Sequence, residues 1–420
     1  MKNSASCLLA SIDSVEGERN YVKITGLETI RVAEFPNLLF VQIHTDTGIS
    51  GLGETFSGPR AVEAYLHETA APILLGRDPL EIDRISKALS GYLGYAGSGA
   101  EMRGNSAIDI ALWDIYGKKS GLPLYQLLGG KARDSIHVYN TCAGYQYVRG
   151  STGQRSDNWG LDSAQGPYED LDGFLHRADE VAVSLLDQGI TGMKIWPFDQ
   201  YAEQSGGQYI SGPDLDAGLE PFRKIRAAVG NRMDIMVEFH SLWNFPMARL
   251  ICAELEQFRP LWFEDPMRAD NLTALAELAH ATCVPLALSE TLSTRWSFRE
   301  MLDQKAAGIV MVDVSWCGGI SEARKIASLA EAYQRPVMFH DCTGPVVYAV
   351  STHLAMNATN ALTQESVRAF YTGWYRDLAT RLPEIINGRI FAPEEPGIGV
   401  DLLPGLRTRA DVTVMTSGQA

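Results

Sequence analysis

The sequence predicts an α/β protein, a (β/α)8-type barrel of the modified TIM kind joined to a smaller α+β domain. Three observations predict it. Glu238, Glu264 and Glu290 each close a short apolar run and stand 26 residues apart, roughly the length of a strand, a crossover helix and two short loops. The same beat continues through Asp313, His340 and Glu365 at intervals of 23, 27 and 25 residues. Beyond Asp134 the pattern alternates between strand-like and helix-like segments, as parallel βαβ units require. In such a barrel the C-terminal strand ends converge on one mouth, where active sites sit. One polar residue at a strand end means little; six in register point to a site.

The elements follow in order. Residues 1–20 are polar and patternless, expected as a loose N-terminal arm. Residues 21–134 read as the α+β domain. Ile24 to Val32, Leu38 to Ile43 and Gly51 to Thr55 are strand-like, with a turn at Thr45-Asp-Thr-Gly48 that predicts a meander. Residues 60 to 130 are helical in pattern: Ile108, Ala111, Leu112 and Ile115 form an apolar stripe, Gly121 stops that helix, and Pro123 starts a short one. Residues 135–386 carry the barrel, with strands expected near 135–142, 190–196, 233–239, 260–265, 285–290, 308–314, 336–341 and 361–366. Long Gly-, Ser- and Asp-rich stretches follow strands one (Tyr145 to Asp172) and two (Gln200 to Gly212); they are either lids over the mouth or ordinary surface excursions. From about Asn387 to residue 420 a Pro- and Gly-rich tail could return to the N-terminal domain.

Composition narrows the function classes. A chain of 420 residues with 45% hydrophobic and 21% charged residues supports a substantial core and argues against disorder. The net charge of −15 disfavours nucleic acid or an anionic membrane as partner. It leaves an anionic substrate open, because a bound dication and local Lys or Arg can invert the field at one mouth. No apolar run approaches membrane-spanning length, and Cys7-Leu-Leu-Ala is too short for a signal-peptide core. The six cysteines show no CxxC pairing and read as reduced thiols of a cytoplasmic protein.

Gly51-Leu-Gly-Glu54, Ala107-Ile-Asp-Ile-Ala-Leu-Trp-Asp114, Phe263-Glu-Asp-Pro266, the Glu238/Glu264/Glu290 triplet and the Asp313 to His340 pair together carry a resemblance. From about Tyr21 onward the chain resembles the enolase superfamily, and within it the mandelate racemase/muconate lactonizing enzyme-like branch. The resemblance implies an α+β capping domain, made from both termini, over the barrel mouth. It also implies a homo-oligomer, dimer or octamer.

Three carboxylates without Cys or His form a hard oxygen site that suits Mg²⁺, one per subunit, better than Zn²⁺. Such an ion polarises a substrate carboxylate and steadies the enediolate formed when the α-proton leaves. The resemblance makes His340 the general base, oriented by Asp313, and gives Glu365 a hydrogen bond to the developing enediolate. On strand two, relatives often carry Lys-x-Lys with the second lysine as opposite-face base, whereas this chain reads Lys194-Ile-Trp196. Indole cannot accept that proton. Lys194 is then expected against the substrate carboxylate, or as a balance for the glutamates, with Trp196 in the place of the base. His240, two residues beyond Glu238, should share its face. Galactonate and mannonate dehydratases are similar there and use that histidine to protonate the departing 3-hydroxyl; otherwise it is a supporting contact.

The reading that follows is a Mg²⁺-dependent acid-sugar dehydratase converting an aldonate or aldarate, 2R by the resemblance, to a 2-keto-3-deoxy acid. A cycloisomerase or one-base epimerase is the alternative on the same scaffold. A metal-dependent hydrolase would favour His-x-His on strand one, where the chain has His137-Val-Tyr139. A non-catalytic metabolite-binding relative would not need the full residue set. Tyr145, Arg155 and Trp243 are candidate contacts to the distal end of the substrate.

Overall fold

The computed structural model describes residues 21–91, 97, 99–161 and 166–419; the predicted arm lies outside the described residues. Strands β1 (Ile24–Val32), β2 (Leu38–Thr45) and β3 (Ser50–Phe56) form the expected antiparallel meander. Gly48, at φ 80°, completes the turn between β2 and β3. The sheet lies on the helix Ala100–Ser120, whose Ile108, Ala111, Leu112 and Ile115 are buried in a shared core with Leu39, Val41 and Ile43. Contact is close enough to fix composition: a Cβ on Gly51 or Gly53 would stand 2.0 Å from the carbonyl oxygens of Ala111 or Ala107. The helix ends at Gly121, at φ 68°, as its αL C-cap.

Eight parallel strands follow: β4 (Ile136–Thr141), β5 (Gly192–Ile195), β6 (Asp234–Glu238), β7 (Trp262–Glu264), β8 (Leu286–Leu288), β9 (Ile309–Val312), β10 (Val337–Phe339) and β11 (Gln364–Ser366). They pair in sequence from β4 to β10. A parallel bridge from Val337 to Ala361 and the pairing of β11 with β4 close the ring. Tyr139, Met236, Trp262, Ala287, Ile309, Met311 and Met338 fill the barrel interior as a separate apolar cluster. The larger core lies between strands and outer helices. This is a capped β/α barrel.

The tail divides between the two layers. Strands β12 (Glu384–Ile386) and β13 (Arg389–Phe391) make a hairpin, and β13 pairs antiparallel with β4. Strand β14 (Val412–Gly418) then pairs with β1 from Gly26↔Gly418 to Val32↔Val412, giving the capping sheet the order β14-β1-β2-β3.

Buried carboxylates of the two motif segments bind cap to barrel. Glu54 accepts from the amides of Val346 and Val347 (3.1 Å each), at the start of the barrel helix Pro345–Asn357. Asp109 accepts from Ser321 N (3.1 Å) near the start of the helix Gly319–Ala332, and Trp113 donates to the Ser321 hydroxyl (2.9 Å). Asp114 joins Leu52 N to Ile398 N, 2.9 Å each. The cap also grips the loop after β4: Asn37 donates to the carbonyls of Val148 and Ser151, and Arg149 pairs with Glu34 while its guanidinium lies over Phe35 and Tyr145. Among the described residues no helix is long and apolar enough to cross a membrane.

Candidate active site

Glu238 and Glu264 end β6 and β7 as register partners, and Glu290 lies two residues beyond β8. One carboxylate oxygen of each lies within 4.8 Å of the others. Backbone and indole donors orient two of them. Glu238 Oε1 accepts from the amides of Phe239 (3.0 Å) and His240 (2.7 Å), and Trp262 Nε1 donates to Glu264 Oε2 (2.9 Å). Glu290 Oε2 is buried with no hydrogen-bond partner among the described residues. With Glu365 the cluster has four carboxylates, and three of them meet one buried ammonium: Lys194 Nζ stands 2.5 Å from Glu264, 2.8 Å from Glu365 and 3.4 Å from Glu238. Burial, together with the Glu238 charge, pushes Glu264 up to about 8. A cluster with excess anionic charge and an unpartnered buried oxygen fits a hard divalent cation.

Two histidines flank this cluster, each held at Nδ1 by an aspartate. His340, just past β10, has Nδ1 2.7 Å from Asp313 Oδ2, and Nε2 3.9 Å from Glu290. Asp313 is itself fixed by the Ser315 amide (2.7 Å) and hydroxyl (2.6 Å). Burial alone would lower the His340 pKa, but Glu290, Glu365 and Asp313 raise it well above the ordinary imidazole value. Trp316 leans on the ring at 5.4 Å, and the Arg103 guanidinium lies over the indole, 4.5 Å from its centroid. His240 Nδ1 is 2.6 Å from Asp199 Oδ2. Again burial opposes the charged form, and Asp199, Glu238 and Glu290 outweigh it, raising the imidazole to about 10.

One expectation needs correction in its cause. Pleat alternation does not orient His240: β6 ends at Glu238, and His240 and Ser241 adopt left-handed φ values of 48° and 59°. A tight turn therefore aims the imidazole, while Phe239 stacks outward between Phe198 and Phe263. Trp196, expected in the place of the base, lies at the end of strand two. It is 1% exposed, one residue past β5, and packs against Tyr147, Phe174 and the edge of His240. Its ring stands behind His240 at the wall of the mouth. Lys194 is enclosed by carboxylates, closer to the expected balancing role than to a free substrate contact. Glu365 lies within β11 and binds Thr141, Lys194 and the Asp341 amide (2.9 Å).

The mouth opens into a cavity of about 230 Å³, bounded by Phe56 of the cap, Tyr147 and Arg155 of the loop after β4, Asp199 and Glu203 beyond β5, and the two histidines. Of the distal contacts expected from sequence, Arg155 reaches the cavity; Tyr145 packs under Arg149 and Trp243 is buried. Glu203 accepts from the Ser156 amide (2.9 Å), which ties the two long loops together. Sequence reasoning missed Asp199, Glu203, Phe56, Tyr147 and Trp316. Only Asp199 carried a signal, since Trp196-Pro-Phe-Asp199 places a carboxylate just past a strand end. A larger cleft of about 390 Å³, between the helix Ile82–Leu89 and residues 294–296, lies away from the strand-end carboxylates.

A capped barrel with three strand-end carboxylates in one cluster has the arrangement typical of a divalent-metal site. Residues 26–129 match the mandelate racemase/muconate lactonizing enzyme N-terminal domain, and residues 176–405 match the enolase C-terminal domain-like family. A D-galactonate dehydratase of Xanthomonas campestris pv. campestris is 32% identical over 400 residues, covering 93% of this chain and 94% of that one. Among solved structures, an enolase of the mandelate racemase subgroup from Agrobacterium tumefaciens is 53% identical, with TM-score 0.84 over 94% of this chain and 99% of that one. An enolase protein from Sargasso Sea environmental sequence is 44% identical, with TM-score 0.85 over 95% and 100%. The chain belongs to the enolase superfamily, in its mandelate racemase/muconate lactonizing enzyme branch.

Proposed function

We propose that this enzyme is a Mg²⁺-dependent acid-sugar dehydratase that converts an aldonate or aldarate to a 2-keto-3-deoxy acid. The observation that carries the reading is the pair of Asp-held histidines on two sides of one carboxylate cluster. Glu238, Glu264 and Glu290 would hold Mg²⁺, which when bound supplies a Lewis acid for the substrate carboxylate. His340 Nε2 takes the C2 proton, while Asp313 keeps the other ring nitrogen occupied. Glu365, in contact with Lys194 and Thr141, contributes a carboxyl group beside the developing enediolate. His240 gives a proton to the 3-hydroxyl as the C3–O bond breaks, so that water rather than hydroxide departs. The resulting enol tautomerises to the keto acid. The names of relatives at 32% identity support the acid-sugar class and leave the particular sugar open.

A two-base epimerase that used strand two would find Lys194 paired with carboxylates and indole at Trp196; a one-base epimerase or cycloisomerase is separated from the dehydratase by its product. Screening aldonic and aldaric acids for keto-acid release tests the proposal. Turnover that stops with chelator and returns with Mg²⁺ is the expected result; epimer without keto acid, or undiminished turnover by metal-free enzyme, would refute it.

A further inference from the structure

The structure assigns to Asp199 the role of positioning residue for His240; the inference rests on the dehydratase reading above. Asp199 opens the helix Asp199–Ser205 and is 4% exposed. Its Oδ2 meets His240 Nδ1 at 2.6 Å, and its Oδ1 has no hydrogen-bond partner among the described residues. The imidazole has a third of its side-chain surface open and borders the cavity. With Nδ1 committed to a buried carboxylate, the open edge of the ring carries Nε2.

Three constraints act on that ring at once. The left-handed backbone at His240 and Ser241 sets the departure of the side chain from the strand end. The edge of Trp196 stands at 5.7 Å and 80°. Asp199 fixes rotation about the last side-chain bond, the freedom the other two leave. The charged groups facing the imidazole are Asp199, Glu238 and Glu290. Of these, Glu238 and Glu290 belong to the carboxylate cluster, and Asp199 alone bonds the ring. Strand two, which supplies no base, thus supplies the partner that aims the acid. The arrangement repeats Asp313 and His340 across the mouth, with the aspartate again on a neighbouring strand's end or just past it.

Orientation matters for this half of the reaction alone. Elimination moves the enediolate electron pair into the C2–C3 bond as the C3–O bond breaks, and the departing oxygen takes the Nε2 proton. A ring turned away leaves hydroxide as the leaving group, and the step stalls. Removal of the C2 proton by His340 does not involve Asp199.

The test uses the Mg²⁺-loaded protein, its best aldonate substrate and the 3-deoxy-3-fluoro analogue, whose fluoride leaves without a full proton. Asp199→Asn should slow dehydration by about 10²-fold or more. C2 exchange in D₂O and fluoride elimination should stay within a few-fold of wild type, and Asp199→Glu should recover part of the loss. Proton NMR of wild type should show a downfield Nδ1–H resonance that His240→Asn removes, separate from that of His340. Wild-type dehydration by Asp199→Asn, an equal fall in exchange and fluoride elimination, or no His240 resonance would overturn the assignment. Wild-type protein that releases no keto acid from any sugar acid would instead refute the dehydratase reading, before any variant is compared.

Discussion

Lys194 and Trp196 sit two residues apart on one strand end and have opposite relations to the chemistry. Lys194 neutralises part of a four-carboxylate cluster, whereas Trp196 supports the wall behind His240. His340→Asn should therefore abolish both dehydration and C2 exchange in D₂O, because no other base borders that face. Trp196→Phe should leave exchange within a few-fold of wild type; phenylalanine keeps most of the packing, whereas alanine would open a cavity costing about 3–5 kcal/mol. Exchange lost in Trp196→Phe and retained in His340→Asn would reverse the assignment. At this scale the sequence was informative wherever a residue ended a regular strand, as Glu238, Glu264 and Asp313 do. Asp199 left only a faint signal, four residues beyond β5, and the reason for His240 was misread, because a positive-φ turn obeys no period.

Elements meet through contacts that tolerate little change. Gly51 and Gly53 let β3 rest directly on the helix Ala100–Ser120. Gly51→Ala should lower stability by about 1–3 kcal/mol or more, read as a fall in melting temperature, since its methyl group would overlap a backbone carbonyl. His353 makes a different joint. Its Nε2 bonds Ile398 O (3.1 Å) and its Nδ1 accepts from Tyr125 N (3.3 Å), a pair only the neutral ring can make. Burial lowers its pKa to about 4, below the unfolded value. The unfolded chain therefore takes up a proton first: the contribution is complete above about pH 6.5 and is lost as pH falls toward 4, on the order of 3 kcal/mol in all. His353→Gln should flatten that part of the acid unfolding curve; an unchanged pH dependence would exclude His353 as its source. Most barrel strands were legible as short apolar runs flanked by helical pattern, as at Ile309–Val312 and Val337–Phe339, and the polar β11 by its place in the spacing. The three-residue strands β12 and β13 were not, being too short to show a period. Nor could spacing reveal that Glu54, Asp109 and Asp114 serve as bridges between layers, since their partners are backbone amides far away in sequence.

The molecule places its mouth where cap, barrel and two long loops meet, so the cavity belongs to no single segment. Phe56 comes from the cap, Arg155 from the loop that the cap grips, and both histidines from the barrel. The capping sheet itself is completed by β14, whose partner β1 lies nearly four hundred residues earlier. Ending the chain after Arg409 should leave the barrel's secondary structure in place while the cap loses an edge strand. Circular dichroism would then report a small loss of signal, and limited proteolysis new cuts within residues 24–56; an unchanged cleavage pattern would show that β14 is dispensable. The same pairing sets an order of events during synthesis. The first strand to leave the ribosome is the one that must wait longest for its neighbour, because the barrel is fully extruded before β14 appears. A nascent chain thus carries an assembled barrel under an unfinished roof until residues 412–418 supply the edge strand beside β1.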